Sequence, residues 1–428
     1  MDAAPPKGTH DFLPPDGSRL RALYDRAAAI AQLYGYGYVE TPGFEATDLF
    51  VRTSGEHSDV VAKEMYTFED RGGRLLTLRP EGTAPVMRAY LHHLHDLGSP
   101  FKAYYLTRMY RYARPQAGRY REHRQFGIEV FGSAEPAADV EVIAVGDRFL
   151  RELGLERYEV QLNSIGDETC RPAYRDLLVA FFEEHHDELR DEHESRFREN
   201  PLRVLDCKDE ACRTLAAKAP MITDHLCDPC REHFDGVLAG LAAEGIEPVL
   251  TPTLVRGLDY YTRTAFEFVS LALAEGASAQ QATLFGGGRY DGLAEALGGP
   301  TVPGVGFGMG LERVLLALRD EGVDAPGEPA LTAYVVALGD EARDRARGLV
   351  RELRAAGLAA DLPLEDRPMK AQLKLADRSG AVYAAILGER ELAGGTVTVR
   401  RLADGDQQEV PIGELMAWLR AAGEAEHR

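Results

Sequence analysis

Arginines, among them Arg111, Arg114, Arg119, Arg121 and Arg124, crowd residues 103–131, AYYLTRMYRYARPQAGRYREHRQFGIEVF. The rest of the stretch alternates apolar and polar residues on two runs joined by a Pro-Gln-Ala-Gly turn, which predicts a largely buried hairpin. Guanidinium groups are costly to bury unless they meet carboxylates or phosphates, which their planar fork binds bidentately. Gln125 and Glu129 stand four apart on the returning strand, so they share one of its faces. These residue types predict a site for a nucleotide phosphate and a small polar substrate on one antiparallel sheet. The alternative is a solvated, salt-bridged hairpin. Arginines, acids and glycines recurring farther along the chain oppose it.

Four other segments carry such residues. In Arg79-Pro80-Glu81-Gly82-Thr83, a carboxylate and a hydroxyl two apart on an extended chain face the same way and could hold an ammonium group. In LVRGLDYYTRTAFEF, 254–268, Arg256 precedes a glycine at the entry to a strand and could neutralise charge developing on phosphorus. The alternative there is charge pairing with Asp259. In LFGGGRYDGL, 284–293, three glycines allow close backbone approach to a ligand and Arg289-Tyr290-Asp291 add polar groups, or the glycines form a tight turn. GVGFGMGLERVLLAL, 304–318, reads as strand, glycine turn and helix. Its G-x-G-x-G spacing and the lack of a preceding βαβ half argue against a dinucleotide fold. Arg313 falls early in that helix, where a phosphate or an adenine ring could meet it.

The elements that must position these residues follow from periodicity. Ser18 to Tyr34 has helical spacing and stops at Gly35, and Tyr36–Glu40 reads as a strand closed by Thr41-Pro42. Leu75 leads a strand into the Glu81 turn. A helix is expected at Ala138–Leu153 and a strand at Tyr158–Asn163. Residues 168–245 are charged and helical, as an insertion into a strand-rich body. Strands return at Val249–Val269 and near Leu284. Residues 322–330, GVDAPGEPA, read as a linker, and alternating strands and helices beyond it predict a small α/β domain.

Composition sets the outer bounds. A chain of 428 residues, 45% hydrophobic and 28% charged, fits a globular protein of two or three domains. There is no apolar run of about 18 residues, so no membrane span is expected. The polar, proline-rich start carries no signal pattern, and a cytoplasmic protein with reduced thiols is expected. A net charge of −20 excludes a simple nucleic-acid coat. It leaves room for a local basic surface, and residues 102–124 supply one, with seven Lys/Arg against the single acid Glu122.

Taken in order, these segments resemble the histidyl-tRNA synthetase family of class II aminoacyl-tRNA synthetases. The resemblance starts at Gly8-Thr-His-Asp-Phe-Leu-Pro14 and passes through a first class II motif ending at Pro42. Residues 110–132 are similar to the second motif and 304–318 to the third. RGLDYYTRTAFEF and FGGGRYDGL resemble the two histidine-specific signatures. The implied fold is an α+β class II catalytic core over 1–325, an antiparallel sheet flanked by helices. It has a helical insertion at about 168–245, and an α/β anticodon-binding domain follows at 331–428. The implied activity is histidine–tRNA ligation, in which L-histidine and ATP, with Mg2+ on the phosphates, give an adenylate whose histidyl group passes to tRNA(His). A cytoplasmic homodimer is implied.

Carried over by position, Arg111 contacts the α-phosphate and the substrate carboxylate. Arg119 and Arg313 hold the outer phosphates of a bent ATP. Arg256 stabilises charge at the α-phosphate and, with Arg111, is the catalytic pair. Glu81, Thr83 and Gln125 bind the α-amino group, Glu129 and Tyr261 read the imidazole, and Tyr290 lines the same pocket. The loop Gln116 to Arg119 is expected to touch the tRNA acceptor end, and the helical insertion to clasp the acceptor stem. A non-catalytic paralogue regulating ATP phosphoribosyltransferase is the competing reading; the intact signatures and the C-terminal domain oppose it. An RNA-binding protein without catalysis explains the basic hairpin but not Glu81, Gln125, Glu129 and Arg256 together.

Two features depart from or add to that pattern. Cys207, Cys212, Cys227 and Cys230 have spacing compatible with a structural zinc, but the first pair is loose, and reduced thiols without metal are favoured. Cys170 reads as structural. The family's second motif carries Arg-x-Glu where this chain has Arg111-Tyr112-Ala113. Neighbouring backbone contacts are then expected to replace the glutamate near adenine. Ala113→Glu should change the KM for ATP only modestly in steady-state kinetics. A rise in activity of roughly a hundredfold would show that the missing carboxylate limits the enzyme.

Overall fold

The computed structural model describes residues 3–54, 60–94, 96–189, 197–198, 200–205, 207, 209–255, 260–276, 282–325, 327 and 331–426. They form two compact units, 1–326 and 327–428. Strands of the first unit are β1 (Gly37–Tyr38), β2 (Phe44–Ala46), β3 (Tyr66–Glu69), β4 (Leu75–Leu78), β5 (Phe101–Tyr110) and β6 (Glu122–Phe131), then β7 (Tyr158–Ser164), β8 (Val249–Leu250), β9 (Thr262–Ser270), β10 (Thr283–Arg289) and β11 (Gly304–Gly310). Eight of them make one sheet in the order β1-β5-β6-β11-β10-β9-β7-β8, antiparallel except at its two edge pairs. β2, β4 and β3 form a small separate sheet that delivers the chain to Glu81.

Alternation along the strands gives the large sheet two different faces. Phe126 and Ile128 on β6, Phe307 and Met309 on β11, and Phe266 and Phe268 on β9 point into the main apolar core. The helices Asp16–Leu33, Pro136–Glu152 and Leu311–Glu321 close that core. The first presents Leu20, Leu23, Ala27, Ile30 and Ala31 at helical spacing and ends at Gly35, whose φ of +80° favours glycine. The opposite face holds a smaller cluster under the helix Thr83–His92, with Met87, Tyr90, Tyr105, Phe131 and Tyr290.

Several expectations change. The strand expected at Tyr36–Glu40 is only the two-residue β1, paired parallel with β5. Glu81 and Thr83 are not on an extended chain. Gly82 is helical and Thr83 opens the helix Thr83–His92, whose Pro85 is tolerated because first-turn amides need no intrahelical acceptor. Gly286, Gly287 and Gly288 lie within β10, and the glycines of 304–318 within β11, rather than in turns. The described residues of 168–245 are mainly helical, but Tyr174, Leu178, Phe182, Val237 and Leu241 share the main core. The helix Asp228–Ala243 lies close along Pro136–Glu152, where a Cβ on Gly240 would meet Val140 Cγ2 at 2.6 Å.

Arg289, expected to add a polar group to the ligand site, instead stitches this unit together. It is 0% exposed and pairs with Asp139 and, at 3.0 Å, with Asp291; it also donates to the carbonyl of Ser133. His233 of Asp228–Ala243 reaches the same Asp139 at 3.3 Å. Breaking such a buried pair by removing one partner costs about 3–5 kcal/mol.

The second unit is a five-stranded sheet, β13-β12-β14-β15-β16, from β12 (Ala333–Ala337), β13 (Ala360–Asp361), β14 (Tyr383–Leu387), β15 (Thr396–Arg401) and β16 (Gln407–Pro411). The strands β13, β12 and β14 run parallel within the α/β unit that the alternation predicted, while the helix Glu389–Gly394 and β16 were not anticipated. No helix among the described residues is long and apolar enough to cross a membrane.

Candidate active site

The site grows from the register of three strands. Gly306 pairs with Glu129, Gly308 with Gly127 and Gly310 with Gln125 across β11 and β6. Gly286 pairs with Gly308, and Gly288 with Gly306, across β10 and β11. All of these residues therefore share the face away from the main core. A Cβ on Gly306 would overlap the Glu129 carboxylate, one on Gly308 the Gln125 amide, and one on Gly127 the Tyr105 ring. The missing side chains make room for those that remain.

Over this face lies a cavity of about 580 Å³. Of the expected residues, Glu81, Thr83, Arg111, Arg119, Gln125, Tyr261 and Arg313 line it. Glu129 and Tyr290 lie one hydrogen bond behind the lining. The Thr83 hydroxyl donates to Glu129 Oε1 at 2.8 Å, Tyr105 donates at 3.3 Å, and Tyr290 donates to Oε2. Arg256 and Asp259 lie outside the described residues.

Part of the lining offers acceptors. The Glu81 carboxylate caps the helix Thr83–His92, accepting from the amides of Thr83 at 2.6 Å and Ala84 at 3.0 Å. A carboxylate takes about four hydrogen bonds, so capacity remains. Thr83 has spent its proton on Glu129, leaving its oxygen as an acceptor. Gln125 Oε1 is buried and has no partner among the described residues. Three acceptors facing one space suit a group with donors only, such as an ammonium.

The same lining offers cations. Arg111 is fixed by its Nε donating to the Pro80 carbonyl at 2.8 Å. Arg313 donates to the carbonyls of Gly118 at 3.1 Å and Thr283 at 2.6 Å. Burial and the charges of Arg111 and Arg119 push its pKa down to about 10. Arg119 pairs with Glu64 at 2.6 Å, so an anion must share or displace that carboxylate. Of the other hairpin arginines, Arg121 stacks on Tyr112, Arg124 pairs with buried Glu312, and Arg114 is exposed. Like charges held together lower their repulsion by taking up a polyanion.

Sequence reasoning missed His123, Tyr105, Tyr260 and Glu267, all on the lining. Burial and then Arg111, Arg313 and Arg124 hold His123 down to about 3, so its imidazole is neutral. The available signal was Gly127, a glycine between Gln125 and Glu129 on the same face, which requires a large neighbour such as Tyr105 opposite it. The cysteines also sort differently from the expected set. Cys227 and Cys230 converge with Asp167 and Cys170, not with Cys207 and Cys212, because helix packing brings the start of Asp228–Ala243 to the end of β7.

Glu129 has a pH consequence. Burial raises its pKa to about 8, outweighing the three hydroxyl donors, and the charge of Glu81 adds to the rise. The folded protein then keeps a proton that the unfolded chain releases near 4.5. Stability should fall as pH rises between those values and level off above about 8. Thermal unfolding followed by far-UV circular dichroism should show this slope in the parent chain and a flatter one in Glu129→Gln. Parallel profiles would place the titration elsewhere.

Comparison with known proteins agrees with this geometry. A family profile described as histidyl-tRNA synthetase matches residues 8–170 and 204–314, and one described as an anticodon binding domain matches 332–422. The histidine–tRNA ligase of Moorella thermoacetica is 50% identical over 421 residues, 98% of each chain, and that of Nocardia farcinica is 48% identical over 418 residues, 97% of each. The apo S. aureus histidyl-tRNA synthetase structure superposes with a TM-score of 0.79 at 36% identity, covering 97% of this chain and 99% of that one. A Bacillus halodurans C structure described as an ATP phosphoribosyltransferase regulatory subunit/histidyl-tRNA synthetase reaches 0.61 at 23% identity, covering 91% of this chain and 97% of that one, a likeness of fold alone. With its class II catalytic unit followed by an anticodon-binding unit, the chain belongs to the histidyl-tRNA synthetase family of class II aminoacyl-tRNA synthetases.

Proposed function

We propose that the cavity activates L-histidine with ATP and then charges tRNA(His), the work of a histidine–tRNA ligase. The observation that carries this reading is one cavity lined both by three acceptors, from Glu81, Thr83 and Gln125, and by three guanidinium groups, of Arg111, Arg119 and Arg313. An amino acid's ammonium suits the acceptors and a nucleotide's phosphates suit the guanidinium groups, and Arg111, held at Pro80 beside Glu81, stands where the carboxylate of the amino acid would meet the α-phosphate.

Glu81, Thr83 and Gln125 hold the α-ammonium. Glu129, through Tyr290 and Thr83, fixes the polar floor against which Tyr261 positions the imidazole. A site built to pair both ring nitrogens rejects isosteres that would leave a buried group unpaired. Arg111 orients the carboxylate beside the α-phosphate, and Arg119 and Arg313 hold the outer phosphates. Arg256, by family resemblance, faces the charge that develops on phosphorus. A carboxylate oxygen bonds to the α-phosphorus, the bond to the bridging oxygen breaks, and pyrophosphate leaves with the electron pair. In the second step the hydroxyl of the terminal adenosine attacks the histidyl carbonyl and AMP leaves. No protein nucleophile is required, because positioning and electrostatics carry the barrier reduction.

Magnesium fits this site as an ion bound mainly by phosphate and water. Glu267 lines the cavity with the arginines and offers a hard oxygen ligand, and the ion would supply neutralising charge on the phosphates. The loop Gln116 to Arg119 faces the acceptor end of the tRNA, the helical segment 168–245 its acceptor stem, and the second unit its anticodon. A homodimer through the first motif is supported by apolar side chains left exposed there and in the small sheet, namely Leu33, Tyr38, Phe44, Phe68 and Leu75. The cytoplasm is the compartment for this reaction, consistent with five cysteines in no disulfide.

Pyrophosphate exchange into ATP, measured with magnesium and each of the twenty amino acids in turn and no tRNA, tests the proposal. Exchange is expected with histidine alone. Absence of exchange with every amino acid would favour a regulatory, non-catalytic chain.

A further inference from the structure

Away from the cavity, two short loops meet end to end. Asp167-Glu-Thr-Cys170 follows β7 and starts the helix Arg171–Glu184, and Cys227-Asp-Pro-Cys230 starts the helix Asp228–Ala243. Each loop carries its potential ligands at an x2 spacing, and the four ligand atoms all lie within 4.8 Å of one another. Cys170 Sγ is 3.9 Å from Cys230 Sγ and 3.6 Å from Asp167 Oδ1, and Cys227 Sγ is 3.8 Å from the same Oδ1. A tetrahedral zinc has bonds of about 2.3 Å to sulfur and about 2.0 Å to oxygen, which sets sulfur–sulfur edges of about 3.8 Å and sulfur–oxygen edges of about 3.5 Å. The three separations are within a few tenths of an ångström of those edges, and no pair of ligand atoms is more than 4.8 Å apart.

We propose that Asp167, Cys170, Cys227 and Cys230 form a structural zinc site. Three thiolates select a soft ion over magnesium or calcium, and four protein ligands leave no open position for catalysis. The surroundings are built for it. Gly166 has a φ of +65°, and a Cβ there would meet Cys170 Sγ at 2.6 Å, so the glycine both turns the chain and clears the sulfur. The Asp167 amide points at Cys170 Sγ at 3.4 Å, and Arg263 approaches the outer oxygen of Asp167 at 3.5 Å, the kind of support that orients metal ligands. The bridged loop is tied to the active-site wall. Ile165 and Gly166 exchange backbone hydrogen bonds with Arg263 at 2.7 Å, and Arg171 donates to the Tyr261 carbonyl at 2.7 Å. The ion would staple two helix starts to the segment that carries Tyr261 into β9.

The full chain, purified without chelator, is to be analysed by plasma mass spectrometry for metals and, after exchange, by cobalt absorption spectroscopy. About one zinc per chain is expected, together with sulfur-to-cobalt charge transfer and tetrahedral d–d bands. Cys212→Ser should keep the metal, while Cys170→Ser and Cys227→Ser should lose at least about nine-tenths of it. Should those two variants fail to fold, Asp167→Cys keeps all three thiolates. It should retain zinc and raise the charge-transfer intensity by roughly a third, from three thiolates to four. Less than about a tenth of an equivalent of zinc, a Cys170–Cys230 disulfide in its place, retention of zinc in folded Cys170→Ser, or an unchanged cobalt spectrum in Asp167→Cys would each overturn the proposal.

Discussion

A side chain can lie flat across a β-sheet only where the strand beside it has no side chain of its own. That steric constraint organises this catalytic unit. Gln125 and Glu129 fold over β11, and they can do so because Gly306 and Gly308 face them. Tyr105 lies over Gly127 for the same reason, and its hydroxyl reaches Glu129. The glycines cost strand propensity and conformational entropy. The opposite face of the same strands offsets that cost with Phe126, Phe307 and Phe266 in the main core. One sheet thus serves as a packed wall on one side and a recess on the other.

Charge is sorted on the same plan. Arginines that support the fold are saturated by carboxylates, Arg289 by Asp139 and Asp291, and Arg124 by Glu312. Around the cavity, Arg111 donates to the Pro80 carbonyl and Arg313 to those of Gly118 and Thr283, while Arg119 pairs with Glu64. A carbonyl fixes a guanidinium in place without cancelling its charge. The acids of the same recess are buried and raised, Glu129 to about 8 and Glu81 in the same direction.

Much of this was legible in the sequence, for identifiable reasons. The hairpin showed in its period-two alternation, and Gln125 and Glu129 showed as a pair because spacing along a strand fixes the face. The second unit showed in its alternation of strand and helix. What stayed hidden depended on contacts between distant segments. Glu81 and Thr83 point into the cavity, yet a helix start brings them there, and Pro85 disguised that helix. The glycine strings read as turns because the reason for them lies on β6, not in their own neighbourhood. Arg289 read as a ligand contact because nothing nearby in sequence announces Asp139. Cys170 was set apart from the other cysteines because its partners start a helix nearly sixty residues later.

Gly308 leaves the space in which Gln125 lies across β11 into the substrate's path, and a double-mutant cycle can separate the two residues' effects. The KM for histidine in pyrophosphate exchange is to be measured for Gly308→Ala, Gln125→Ala and the double variant. The account predicts that each single change weakens histidine use and that the double variant is hardly worse than Gln125→Ala, a coupling of at least about 1 kcal/mol. Fully additive effects would contradict it, because the glycine would then serve something other than the amide that lies across it.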